Sequence, residues 1–285
     1  MDMFAGMQTM TSLDIAALAA VVLIGLPHGA LDGAIAMHLG YANRLLNFFR
    51  FIALYVLVAG LVVGAWFMMP ALSLLGFLIV SMIHFGSGDA RHATGWMRGV
   101  EIVAHGGLVV AGISQMHRPE VDVVFGYLVG GDTSLVWSGL DVMTVFVGFA
   151  LVICVGQALW FRKWRGTAVE LVLLAILFAM VPPLVGFAVY FCCVHSARHV
   201  ASIVGSLKRY MSVANLCVQT LAFTLASWAA GAAAGWWLID MTNPEPTVIR
   251  VIFIGLAALT VPHMILVDGI YRRSSKSLQR QYISR

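Results

Sequence analysis

Residues Phe51–Met69 read FIALYVLVAGLVVGAWFMM, nineteen positions without one charged side chain. An α-helix needs about 20 apolar residues to cross a hydrocarbon core roughly 30 Å thick, and this run comes close to supplying them. It lacks the period-two alternation of a barrel strand. Comparable stretches recur on both sides of it, at 13–39, 71–88, 99–116, 135–160, 168–181, 183–207, 213–239 and 248–271. Composition agrees: 61% of the 285 residues are hydrophobic, 11% are charged, and the mean hydropathy is +0.92. Soluble domains are about half apolar and a quarter charged. In lipid, backbone amides find no water and must bond within helices. The expected fold is therefore all-α, a polytopic transmembrane helix bundle. It forms one domain over 1–285, with a short basic cytoplasmic tail from about 272.

Charge sets the span count. The stretch 168–181 is short, and Pro182–Pro183 either separates two spans or kinks one. With the N-terminus outside and nine spans, fourteen of the seventeen Lys and Arg residues fall on the inner side; Arg118 and Arg250 lie outside and Arg198 within a span. A merged eight-span chain would send the basic tail to the other face and break the positive-inside bias. About nine spans are expected, in a multi-pass protein of the cell (plasma) membrane with its C-terminus in the cytoplasm. The stretch from Met116 to Ser134, with Gly130–Gly131, reads as one long exterior loop.

The net charge of +4 is what basic inner loops produce, and without a basic-aromatic pattern it gives no reason to expect nucleic acid. Cys154, Cys192, Cys193 and Cys217 sit in apolar stretches without zinc-type spacing and read as small hydrophobes. The first apolar run has no basic segment before it and continues into histidine-bearing sequence, unlike a cleavable signal.

Seven of the nine histidines lie in or beside apolar spans: His28, His38, His84, His105, His195, His199 and His263. Ionisable residues inside a membrane are costly and mark function, although a single one can simply hydrogen-bond a neighbouring helix. In the nine-span topology, six of them (all but His38) come from five helices and share one layer between the midplane and the cytoplasmic face. His195 and His199, four apart, project from one face of a helix and can grip one metal ion. His28 and His84 are at the right level to complete the site. Imidazole donors suit iron, zinc, copper or nickel. Asp32 follows His28 by four residues and Glu101 precedes His105 by four, so each carboxylate could orient a ring or merely pack. Asp89 and Asp268, five residues after His84 and His263, read better as interfacial charges. Phe85, Tyr190, Phe191, Trp228, Trp236 and Trp237 could wall a long apolar tunnel, but most of them read as lipid-facing or core.

The motifs GLPHGALD (Gly25–Asp32), SMIHFG (Ser81–Gly86), AHGG (Ala104–Gly107), YFCCVHSARH (Tyr190–His199) and FIGLAALTVPHMILVD (Phe253–Asp268) span nearly the whole chain in order. Together they resemble the Brp/Blh family of integral-membrane β-carotene 15,15′-dioxygenases. That resemblance implies a non-haem Fe(2+) held by four histidines, here His28, His84, His195 and His199. It also implies β-carotene and O2 as substrates in the lipid bilayer and two retinal molecules as products; a retinal-binding rhodopsin is a candidate partner, with direct hand-off of retinal left open. His105, His263, Asp32 and Glu101 are then expected beside the metal or in the substrate pocket, and no acid or base is required beyond the iron ligands.

Three other functions use intramembrane histidines. A membrane electron carrier with bis-histidine b-type haem would pair rings on facing helices, for which the close His195/His199 pair is less natural. A divalent-metal transporter would want carboxylates along a path to both faces. A desaturase would need more histidine boxes, in the cytoplasmic loops.

Overall fold

A computed structural model describes residues 10–41, 44–90, 92, 94–240 and 243–271. The basic tail expected from about 272 lies outside these residues. Ten helices make up the described chain, with no strand among them: α1 (Ser12–His38), α2 (Leu45–Met68), α3 (Pro70–Asp89), α4 (Gly95–Met116), α5 (Arg118–Val129), α6 (Ser134–Trp160), α7 (Arg165–Met180), α8 (Pro183–Leu207), α9 (Val213–Leu238) and α10 (Glu245–Tyr271). Eight are long and apolar enough to cross a membrane, all except α5 and α7. The all-α polytopic bundle expected from composition is what the chain forms.

Pro182–Pro183 is a break between two helices. Val181 (φ −123°, ψ 154°) and Pro182 (φ −53°, ψ 149°) are extended, and α8 starts at Pro183, where a missing N–H costs nothing. With 16 residues, α7 reaches only about 24 Å at 1.5 Å per residue. The expected exterior loop is corrected: Met116–Ser134 contains α5. Pro119 sits in its first turn, and Gly130 closes it in the left-handed conformation (φ +77°). Its apolar face (Val121, Phe125, Leu128) is buried. Its last carbonyls accept from Trp66 Nε1 (Leu128 O, 3.0 Å) and Arg250 Nε (Tyr127 O, 2.6 Å). The glycine pair that looks like a loop is largely a helix cap.

Two features place the site. Glycine lets α3 and α4 touch backbone to backbone: a Cβ on Gly86 would lie 2.1 Å from the Ile102 carbonyl oxygen, and one on Gly106 1.8 Å from that of Met82. His84 and His105 sit two residues and one residue from these contacts. The helices also change winding beside the histidines. Wide π-helical turns occur at Val21–Gly25, Tyr190–Ser196 and Ile265–Tyr271, and a tight 3-10 turn at Leu26–Leu31 includes Pro27 and His28. Such turns displace side chains from the regular spiral and are frequent at functional sites.

Candidate metal centre and adjoining cleft

Five of the six predicted imidazoles meet. His28 from α1, His84 from α3, His195 and His199 from α8 and His263 from α10 are all buried. His28 has its ring centroid 6.4 Å from His84, 5.4 Å from His195, 5.3 Å from His199 and 5.5 Å from His263. His84 lies 4.8 Å from His195, 6.3 Å from His199 and 5.1 Å from His263. Each of His28, His84 and His195 presents one ring nitrogen within 4.8 Å of the other two. His199 and His263 complete the group around this triplet.

The placement of the nitrogens fits what a metal ion would need. His28 Nδ1 lies 2.5 Å from the Gly25 carbonyl oxygen. A carbonyl only accepts, so Nδ1 carries the proton and Nε2 keeps a lone pair. Ser196 Oγ, 3.1 Å from the same Nδ1, supports the ring. His84 Nε2 and His195 Nε2 stand 3.2 Å apart. Two nitrogens each about 2.1 Å from one ion sit about 3.0–3.4 Å apart between right-angle and tetrahedral geometry, so the observed spacing fits a shared metal. Carboxylates back two of the rings: Asp32 Oδ1 accepts from His263 Nδ1 at 2.8 Å, and Asp268 Oδ2 lies 3.6 Å from His84 Nδ1. A carboxylate behind an imidazole orients the ring and increases its basicity.

One wall of this cluster faces a cleft between the helices. His28, His84 and His263 contribute its polar side, together with Tyr55 and Asp32. Five phenylalanines, Phe77, Phe85, Phe187, Phe191 and Phe223, line it as well. Glycines in α1 admit two of these rings: a Cβ would meet Phe191 at 2.3 Å from Gly25, and Phe223 at 2.3 Å from Gly33. Of the aromatic residues picked from sequence, Phe85 and Phe191 do line the cleft. Tyr190 is in the core, Trp228 bonds the Val22 carbonyl, and Trp236 and Trp237 point outward. Phe77, Phe187 and Phe223 are not legible from sequence, because an isolated phenylalanine in an apolar helix carries no signal of direction.

The remaining predicted residues form a second polar group beside the first. His105 donates from Nδ1 to the Glu101 carbonyl (3.1 Å) and turns Nε2 toward Glu170, 4.0 Å away. It makes none of the ring contacts that join the five. The Glu101 carboxylate is fully buried, 4.0 Å from His92 Nδ1. Glu170 and Asp89 share Arg198, at 2.5 and 3.0 Å, and Tyr190 donates to Asp89 at 2.6 Å. Asp89 is thus no interfacial charge: it is 1% exposed. Asp268, read the same way, instead stands behind His84. In both cases the last turn of a helix is pressed against a neighbouring span, which hydropathy along one helix does not register. His38 lies apart, against Tyr210 at 4.5 Å between ring centroids.

A family model described as beta-carotene 15,15′-dioxygenase (BCD) matches residues 19–271. The chain is 36% identical over 270 residues to the beta-carotene 15,15′-dioxygenase of uncultured marine bacterium 66A03, covering 94% of this chain and 97% of that one. To the probable beta-carotene 15,15′-dioxygenase Blh of Halobacterium salinarum it is 26% identical over 294 residues, covering 90% and 83%. No solved structure matches significantly. Similarity that runs almost end to end, through every helix that brings a histidine to the cluster, makes this chain a member of the β-carotene 15,15′-dioxygenase family.

Proposed function

We propose that the chain holds a non-haem ferrous iron through His28, His84, His195 and His199 and uses O2 to cleave β-carotene at its central 15,15′ double bond, giving two molecules of retinal. The observation that carries this reading is the juxtaposition of a buried imidazole cluster with a phenylalanine-walled cleft inside a membrane-type bundle. When bound, the iron supplies a place to activate O2, which bare side chains cannot do.

The protein's own groups supply position. A polyene about as long as the ~30 Å hydrocarbon core dissolves in lipid and would reach the cleft sideways, without crossing water. Stacked against Phe85, Phe187, Phe191 and Phe223, it would lie with its mid-section beside the histidines, so that geometry selects the bond. The His28 proton is held at the Gly25 carbonyl, which keeps the Nε2 lone pair directed inward. The phenylalanine walls exclude water from the reacting bond. In the balanced reaction, one oxygen atom of O2 ends in each aldehyde.

The haem alternative is disfavoured by crowding. His195, His199 and His263 each lie within 6.3 Å of both His28 and His84, or closer, and fill the space that a macrocycle bridged by that pair would need. We further propose a plasma-membrane location with the N-terminus outside, and delivery of the product to a retinal-binding rhodopsin.

The test is anaerobic purification in detergent, iron quantification, then β-carotene with O2 and product analysis, in parallel with His195→Ala. About one iron per chain, no Soret band, and retinal that disappears in the variant are expected. Haem absorbance, or bound iron without carotenoid cleavage, would overturn the proposal.

A further inference from the structure

We infer that His263 is a fifth nitrogen donor of the metal centre, fixed in its ligating form by a Tyr55–Asp32 relay. The inference rests on the metal reading above and adds a ligand to the four carried by the motif resemblance.

The first observation is position. His263 reaches the cluster from α10, which contributes none of the other four rings, and it packs 5.5 Å from His28, 5.1 Å from His84 and 5.1 Å from His199. It lies as close to His28 and His84 as His199 does, since His199 is 5.3 and 6.3 Å from them. A residue that merely lined the cleft could satisfy the bulk of the site from one side. His263 instead touches three of the four proposed donors and is 3% exposed.

The second observation is proton placement. His263 Nδ1 lies 2.8 Å from Asp32 Oδ1, and Tyr55 donates its hydroxyl proton to the other oxygen, Oδ2, at 2.9 Å. Imidazole is a stronger base than a carboxylate, so the proton between His263 and Asp32 belongs to Nδ1. A neutral imidazole so held has its lone pair on Nε2, the form in which histidine ligates metal and cannot donate a proton from that atom. Had Asp32 served only to neutralise charge, it could have faced any ring. Its bond to the outer nitrogen of this one is the arrangement that orients a ligand.

The third is charge. Five neutral imidazoles leave the two positive charges of a ferrous ion uncompensated, and a low-dielectric site makes that costly. Asp32 behind His263 and Asp268 behind His84 bring two carboxylates to two sides of the same cluster.

Anaerobic Co(II) titration of the full-length protein in detergent tests the inference without relying on activity. The readouts are affinity by chelator competition and the visible d–d bands, which gain intensity as ligands are lost. His263→Ala is expected to weaken Co(II) binding about 10–100-fold and intensify the bands, with free imidazole restoring the wild-type spectrum. Asp32→Asn and Tyr55→Phe change little volume and guard against a variant that fails to fold. Asp32→Asn should weaken binding about tenfold, and Tyr55→Phe should shift it in the same direction by less. Wild-type affinity and spectrum in folded His263→Ala would overturn the inference, as would an unchanged Asp32→Asn if His263→Ala does not fold. A wild-type protein that binds one Co(II) while the variants match it overturns this inference alone. A wild-type protein that binds none overturns the metal reading with it.

Discussion

Arg198 on α8 donates to Asp89 on α3 across 3.0 Å, and the pair ties together the two helices that carry His84, His195 and His199. Arg198 stands between the two histidines of α8, and Asp89 lies five residues beyond His84, so whatever fixes one contact fixes the distance between the rings. Tyr190 and Glu170 complete the set from the sides.

Asp89→Asn is expected to destabilise the protein by about 1–3 kcal/mol, because the buried tyrosine hydroxyl and the guanidinium lose a charged acceptor. Removing the pair Arg118–Asp141 on the surface should change stability far less, since both side chains are about half exposed. Thermal unfolding in one detergent compares them. Equal effects would mean that the inner pair does not hold α3 to α8.

Gly106→Ala forces a methyl group to within 1.8 Å of a backbone oxygen of α3, and the helices must part to admit it. Overpacking of this kind costs about 1–3 kcal/mol or more. Metal binding should fall with it, because His84 rides on the displaced helix. Gly60→Ala, where nothing lies within 4 Å of the added carbon, should be neutral or slightly stabilising. Folded yield and metal content of the two variants give the comparison, and a well-folded, metal-loaded Gly106→Ala would contradict the close packing.

Phe223→Ala removes a ring that lines the cleft beside Gly33 and should loosen the seat of the polyene. Chromatography of the products is expected to show unequal apocarotenals beside retinal, with a raised KM. Retinal alone, at the wild-type rate and KM, would take Phe223 out of substrate positioning.

Chelation of the metal under anaerobic conditions should abolish cleavage while leaving the helical circular dichroism intact, because the spans form from their own backbone bonds. Refilling with Fe(II) should restore activity and raise thermal stability, by about 2.7 kcal/mol at a hundredfold excess over Kd. Loss of helix on chelation would show the metal to be part of the fold rather than a guest in it.

Much of this architecture is legible along the chain, because lipid imposes length and polarity on every span. Phe51–Met69 is readable as a helix without reference to any neighbour. The histidine layer is readable too, since position along a helix converts to depth, and five of the six rings placed in that layer do converge. What depth cannot supply is azimuth. His105 sits at the right level and faces Glu170 instead of the cluster. Asp89 and Asp268 looked like interfacial charges because helix ends usually are interfacial, and only tertiary packing turns them inward. Tyr55, Arg198 and Glu170 act through partners far away in sequence, so no local spacing announces them. Helix α5 reads as a loop in sequence because its closing glycines outweigh an apolar face only about three turns long.

The wide turn at Tyr190–Ser196 contains one more residue than a regular α-helical turn would use. Deleting a single residue there would let the helix wind regularly, and the side chains inside the turn, His195 among them, would shift relative to the helix on either side. His195 would leave its present orientation toward His84 and His28, and the chain would keep its span while losing its centre. The site is thus guarded by an insertion that hydropathy cannot detect: two sequences with the same apolar profile, differing by one position in this turn, would be equally good membrane helices, and only one of them would assemble the ring of imidazoles.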